Sequence, residues 1–386
     1  MKNFDFSSFR EKGIHRVGEL NPYINLACDL RCDYCYMYDF LAKARDKKEL
    51  MHPSFLLGMV DFFCEYSDGL DRMTLLGGEP TLHPDITEIC NEAAERPIRE
   101  LRMTTNGISL HELKLERLKP HAFDHVSVSI DGITASINDA TRGKGTYKRI
   151  IETIGLYREA NVRLSINYTV TTNNIDHLNE TIAFFKEQGV SIINFHRASL
   201  DGYAYKHQDI LVGGDAWVSA RDRLFAFIQK NASAYPDLII RIPYTFLTQE
   251  QIQHLGYVPI QEQNYHSPQG GHRLIVFPTT PKGRGLCYMS SDVIGHPNAE
   301  LGTVSSDGIF KWNEHSLNEM GAYKRLLSPN VSTQIKGQTE GLASSSKLMR
   351  VSHSYKATIH TNEFDPISSI HPVFLENNLM KETCNT

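Results

Sequence analysis

The 386-residue chain contains no run of about 18 apolar residues, so no membrane-spanning helix is expected. Its first twenty residues mix Lys, Arg, Asp and Glu with Phe and lack an apolar core stretch, so no secretory leader is visible. Positive charge is not in surplus: 40 Lys+Arg against 45 Asp+Glu give a net charge of −5. That argues against a nucleic-acid binder relying on bulk basic charge. Neither an internal repeat nor a coiled-coil heptad stands out. With 41% hydrophobic and 22% charged residues, the composition also excludes extended disorder and collagen. A chain this long can bury a large core, which removes the disulfide-stapled mini-protein from consideration. The cytoplasm is the expected compartment. Thiols stay reduced there, and clustered cysteines read as metal ligands or reactive groups.

What the chain does have is an alternation. From about Asn21 to Ser199, β-rich runs alternate with helical patterns. The β-rich runs are Tyr23–Ala27, Met73–Leu76, Leu101–Thr105, Val126–Ile130, Arg163–Thr171 and Ser191–His196. Helical spacing recurs over His52–Tyr66, Asp85–Glu95, Tyr147–Ala160 and Ile175–Gln188. This predicts an α/β fold with a parallel sheet, or a full or partial (β/α) barrel. In such folds the chemistry sits at the carboxyl ends of the strands. One longer helix is expected over Asp209–Tyr235. A β-like region follows, with Leu274–Phe277, Leu286–Met289 and a hairpin signal at Ser306-Asp307-Gly308. The expected division is a lead-in at 1–20, a core barrel at 21–208, a C-terminal α+β cap at 209–331 and a polar, poorly ordered tail at 332–386.

Three of the seven cysteines follow the first expected strand, as Cys28-Asp-Leu-Arg-Cys32-Asp-Tyr34-Cys35. Thiolates favour zinc and iron–sulfur clusters. A closed zinc site wants four ligands, and no fourth Cys or His lies nearby in sequence. A [4Fe–4S] cluster held by three thiolates leaves one iron open to a non-protein ligand. A zinc knuckle completed by a distant residue is the competing reading.

The C-x3-C-x2-C spacing, with Tyr34 just before the third cysteine, resembles the signature of the radical S-adenosylmethionine (SAM) superfamily. The resemblance implies a partial (β/α)6 TIM-like barrel and two cofactors, a [4Fe–4S] cluster ligated by Cys28, Cys32 and Cys35, and SAM on the open iron. It further implies reductive cleavage of SAM and abstraction of a substrate hydrogen by the resulting 5′-deoxyadenosyl radical. An external low-potential donor such as flavodoxin or ferredoxin is implied as well. After the second expected strand, Gly77-Gly78-Glu79-Pro80 resembles the family's motif for the SAM amino group. Paired glycines allow close backbone approach, and an ammonium wants an acceptor. Within the peptide-modifying and sulfatase-maturase branch, a serine ending the fourth strand and an arginine about a dozen residues later contact SAM. Ser129 and Arg142 match those positions, with surface or capping roles as the competing reading. The SAM-holding set implied by the resemblance is thus Tyr34, Gly77, Gly78, Glu79, Ser129 and Arg142.

Other polar strand ends are Thr104-Thr105-Asn106-Gly107, then Asn167 and Thr169, then Asn194 and His196, which also read as satisfied polar groups at a barrel mouth. Cys64 and Cys90 read as buried small hydrophobes and Cys384 as incidental. Cys287 and Gly302 resemble the start of the family's auxiliary-cluster (SPASM/twitch) domain. However, Asp307 stands where the next cysteine would fall, so the cap reads as a degenerate remnant without a cluster. The substrate expected first is a ribosomal peptide or protein, and second a small metabolite. A non-catalytic Fe–S or zinc module is the alternative from another class.

Overall fold

The computed structural model describes residues 4–313, apart from 12–13, 39–40, 43–48, 110–114, 120–121, 199–201, 236, 244–259, 262–271, 279–284, 289–299 and 306, and then residues 355–360. After a short helix α1 (Ser8–Glu11) come β1 (Val17–Pro22), α2 (Pro53–Ser67), β2 (Arg72–Leu75), α3 (Ile86–Ala93), β3 (Leu101–Thr105) and β4 (His125–Ser129). Next are α4 (Ala135–Arg142), α5 (Thr146–Glu159), β5 (Leu164–Val170), α6 (Leu178–Glu187), β6 (Ile192–Arg197), α7 (Gly214–Asn231) and β7 (Ile239–Pro243). The remaining strands are β8 (Ile260–Gln261), β9 (His272–Phe277), β10 (Gly285–Tyr288), β11 (Glu300–Val304), β12 (Phe310–Trp312) and β13 (Tyr355–His360).

Helix α2 shows why these segments fold locally as they do. Pro53 opens it, the His52 ring accepts from the Ser54 N–H at 3.3 Å, and Asp68 closes it in the left-handed region at φ 56°. Its buried residues Phe55, Leu56, Met59, Val60 and Phe63 fall three and four apart, on the face turned to the sheet. In β4 and β5 every second residue (Val126, Val128, Leu164, Ile166, Tyr168, Val170) joins the core under the helices. The residues between them are polar: the Ser127 and Ser165 hydroxyls meet at 2.5 Å, and Asn194 of β6 donates to Asn167 at 3.1 Å. The opposite face of the sheet is therefore a polar lumen.

The described strands form one sheet in the order β12-β11-β10-β9-β1-β2-β3-β4-β5-β6-β7-β13-β8. From β9 through β7 every pairing is parallel, which makes eight parallel strands and a partial TIM-like barrel. The α/β expectation holds, with two parallel strands beyond the six read from sequence. The first strand differs in position. It runs over Val17–Pro22, while Tyr23 and Asn25, inside the expected run, make only isolated bridges to Leu76 and Leu50. Glu19 and Asn21 are buried in this strand, and two polar residues hide a strand from a reading based on apolar runs. β7 and β13 lie in segments read as a cap and a polar tail. β7 pairs parallel with β6, and β13 pairs antiparallel with β7.

The hairpin expected around Ser306-Asp307-Gly308 is present as β11 and β12, with Gly302 opposite Trp312. It is seated by aromatic packing: Phe310 meets Phe6 and Phe9 at 5.3 and 4.9 Å, and the Trp312 indole donates to the Ser8 hydroxyl at 2.8 Å. Cys64 and Cys90 are buried against α2 and α3, as expected. Cys287 lies on β10 with Gly302 opposite it, its side chain outside the described set, and Cys384 also lies outside the described residues. Among the described residues, no helix is long and apolar enough to cross a membrane.

Candidate active site at the carboxyl end of the barrel

The loop leaving β1 carries all three motif cysteines across the carboxyl ends of β2 to β4. Two backbone bonds fix its first part: Gly78 N–H donates to the Asn25 carbonyl at 3.1 Å and Glu79 N–H to the Ala27 carbonyl at 2.7 Å. A Cβ at Gly78 would run into the Ala27 carbonyl and stand 3.1 Å from the Cys28 Cβ. The glycine thus lets the strand-end turn lie directly on the cysteine loop.

Glu79 is 1% exposed and its carboxylate is taken up by its own chain. It accepts from Thr81 N–H (3.1 Å), Thr81 Oγ1 (2.7 Å), Thr105 Oγ1 (2.6 Å) and Asn106 N–H (2.6 Å). Burial pushes its carboxyl above the usual range, against the pull of these donors. Asn106, held in this way, donates Nδ2 to Asp29 at 2.6 Å and faces the Cys28 sulfur at 3.9 Å. Ser109 donates to the other Asp29 oxygen at 2.7 Å.

From the far side, α4 brings in Arg142. Thr134 caps this helix by accepting from Ile137 N–H at 3.4 Å. The Arg142 Nε donates to Asp131 at 2.7 Å, and Nη1 points at the Cys32 sulfur from 4.0 Å. Asp131, wholly buried, also accepts from the Tyr34 hydroxyl and from Thr169 N–H at 2.8 Å. Arg142 lies 5.7 Å from the Tyr34 ring centre. Ser129 ends β4 opposite Asn167.

A third element closes over the loop. After β6 the turn Gly202–Lys206 docks on it, with Tyr203 N–H donating to the Cys35 carbonyl at 3.0 Å. Tyr203 stacks on Tyr38 with ring centres 3.9 Å apart, and His207 stands 3.8 Å from Asp33.

Burial pushes all three cysteine thiols upward, that of Cys32 to about 12. Opposing it are the Arg142 charge at Cys32 and Cys35 and backbone N–H groups, from Leu30 at Cys28 and from Met37 and Tyr38 at Cys35. Such half-buried sulfurs, faced by donors, suit a centre whose own positive charge makes them thiolates. Among the described residues no group of three or more His, Cys, Asp or Glu side chains is arranged around a single ion. Three thiolates that each take a different iron of one cluster do not have to meet at a point.

Known proteins resemble this chain over its barrel. The Radical SAM superfamily matches residues 23–185. Over that stretch, less than half of its length, the chain is similar to the radical SAM superfamily. Over 200 residues the chain is 28% identical to a probable GTP 3′,8-cyclase of Sulfurisphaera tokodaii, covering 50% of this chain and 61% of that one. Over 159 residues it is 27% identical to the PqqA peptide cyclase of Ruegeria pomeroyi, covering 41% and 42%. Among solved structures, SuiB of Streptococcus suis bound to S-adenosylmethionine superposes with a TM-score of 0.56 at 14% identity, over 95% of this chain and 80% of that one. SuiB bound to its precursor peptide SuiA gives 0.51 at 16% identity, over 70% and 60%. The matched stretch spans about three fifths of the cyclase and two fifths of the peptide cyclase.

Similarity to the radical SAM superfamily implies a [4Fe–4S] cluster and SAM, and the donor set described above fits the cluster. The structure brings Cys28, Cys32, Cys35, Tyr34, Gly77, Gly78, Glu79 and Arg142 together at one end of the barrel, with Ser129 at the same strand ends. Sequence reasoning did not assign Asp131, Asp29, Ser109 or the Gly202–His207 turn. Asp131 had a signal, since it stands one residue beyond an alternating strand, where a barrel places its chemistry.

Proposed function

We propose that the chain is a radical SAM enzyme that cleaves SAM reductively and takes a hydrogen atom from a ribosomally made peptide or a protein. The observation carrying this reading is the set of three half-buried cysteines, faced by Arg142, Asn106 and backbone N–H groups, at the carboxyl end of a partial barrel of eight parallel strands. Cys28, Cys32 and Cys35 would hold the cluster, and Tyr34, Gly77, Gly78, Ser129 and Arg142 would hold SAM; the Glu79 carboxylate, expected to hold SAM as well, is instead taken up by Thr81, Thr105 and Asn106. When bound, the pair supplies one-electron cleavage of the sulfonium and a 5′-deoxyadenosyl radical. The protein's own part is positional. Asp131 orients Arg142 and Tyr34, Glu79 orients Asn106, and the Gly202–Lys206 turn covers the cysteine loop. A flavodoxin or ferredoxin would supply the electron.

The peptide substrate is supported by the PqqA peptide cyclase relative and by SuiB, whose structure holds a precursor peptide. A second reading, a small metabolite, is favoured by the cyclase of Sulfurisphaera tokodaii, which matches a longer stretch at similar identity. Anaerobic reconstitution should give about four irons per chain. With dithionite and SAM the product should be 5′-deoxyadenosine, and alanine at any one of the three cysteines should abolish it. Iron-loaded protein that makes none refutes the reading. Deuterated candidate peptides and metabolites, scored by label transfer to 5′-deoxyadenosine, separate the two substrate classes.

A further inference from the structure

The lumen of this barrel is charged well below the cysteine loop. Arg102 is the second residue of β3, so it lies three residues, or about 10 Å, before that strand's carboxyl end. Its Nη2 donates to Glu100 at 2.6 Å, and the same Glu100 oxygen accepts from the Arg72 Nε at 2.9 Å. Arg72 also reaches Glu19 of β1 at 3.5 Å. From the other wall, Arg241 of β7 donates to Asn194 at 3.3 Å, and Asn194 leads on to Asn167. Three guanidinium groups from β2, β3 and β7 therefore share the lumen with two carboxylates.

Two features make this more than a structural ion-pair network. The Arg102 Nε is buried and has no hydrogen-bond partner, so one edge of a guanidinium fork is left unsatisfied. Among the described residues, three arginines share this part of the lumen with two carboxylates. Arg72 and Arg241 both act on Arg102, which burial and those neighbours lower to about 9, and on His125 of β4, which burial and the surrounding arginines hold neutral. An anion placed here would satisfy the free guanidinium edge and offset the neighbouring charge. These groups are not sealed off: Arg72 is 17% and Arg102 13% exposed.

We propose that the lumen around Arg72, Arg102 and Arg241 binds an anionic group of the substrate, a carboxylate or a phosphate, about 10 Å below the strand ends. This rests on the radical SAM reading and narrows its substrate. The molecule would have to be extended along the barrel, with its reacting carbon near the cysteine loop and its negative charge at the arginines. On the peptide reading the anion is an acidic side chain or a chain terminus. On the metabolite reading it is a phosphate or a small carboxylate.

The test uses the reconstituted holoprotein, with inorganic phosphate and succinate as probes against chloride at matched ionic strength. Binding is read from the rise in Tm, which needs no turnover. Phosphate or succinate should raise the Tm, and the responding probe tells which anion the site takes. Arg102→Gln should weaken the apparent affinity at least about tenfold. If that variant does not fold, Arg241→Gln should show the same loss. No Tm response to either probe overturns the proposal, as does an equal response in wild type and in both variants. SAM cleavage is assayed separately on the wild type. Protein that makes 5′-deoxyadenosine but ignores both anions refutes the anion site alone. Protein that binds anions but makes none refutes the radical reading alone.

Discussion

Arg142 donates its Nε to Asp131 at 2.7 Å, with the two side chains 5% and 0% exposed. The pair joins the end of α4 to the end of β4 and directs the guanidinium at the Cys32 sulfur. Asp131→Ala should leave a buried cation without its counter-charge, at a cost of about 3–5 kcal/mol by urea unfolding. Asp131→Asn, which still accepts from the Thr169 N–H, should cost less. In both variants SAM affinity of the reconstituted protein should fall. A titration showing unchanged affinity with Arg142 intact would refute the positioning role.

Glu79 gathers four donors from two strand ends, and one of them, the Asn106 N–H, sets where the Asn106 amide faces Asp29 and Cys28. Glu79→Ala strands those donors in the interior and should cost on the order of 3 kcal/mol. Glu79→Gln should be intermediate, because its amide nitrogen has to face donors. Iron content after reconstitution should fall in the same order. A Glu79→Ala protein of unchanged stability would show that water satisfies the site.

Gly202 adopts φ 54°, and a Cβ there would run into the Cys35 and Tyr36 carbonyls. Gly202→Ala should cost about 1–3 kcal/mol and lift the turn from the cysteine loop. The Tyr38–Tyr203 stack and the His207–Asp33 contact would then be lost together. Limited proteolysis should find new cleavage around Tyr203–His207, and iron should be lost faster in air. Proteolysis unchanged from wild type would contradict the docking role.

How much of this was legible in the sequence depends on the range of the interaction. The C-x3-C-x2-C run and Gly77-Gly78-Glu79 are local, and they could be read without a fold. Strands β2 to β6 were legible because their helix-facing residues alternate. β1 was misplaced by a few residues because Glu19 and Asn21 are buried in it. The parallel pairing of β9 with β1 joins segments some 250 residues apart, which no local pattern encodes. The site divides in the same way. Arg142 was found by spacing. Its partner Asp131 and the contact of the Gly202 turn with Cys35 exist only once the barrel brings β4, β6 and the loop together.

The buried arginines also set how stability responds to acid. His125 is 4% exposed, and its folded value is held at about 2, by burial first and then by Arg102, Arg241, Arg163 and Arg72. The unfolded chain takes up a proton at this histidine below about 6.5, and the folded protein does not. A lowered folded value means that its stabilisation is complete above 6.5 and is lost as pH falls toward 2. The loss is about 1.4 kcal/mol per pH unit for one such group. His83, also lowered by burial, adds in the same direction. Glu100 and Asp139 are lowered from ordinary carboxylate values, so their loss begins only near 4.5 and below. Glu79 and Asp33, raised by burial, take up protons earlier in the folded protein and work against the histidines as the pH falls. Urea unfolding at pH 7.5, 6.5 and 5.5 should show His125→Gln losing less stability than the wild type across the last interval, by about one proton. An unchanged slope in the variant would mean that His125 charges within the folded barrel.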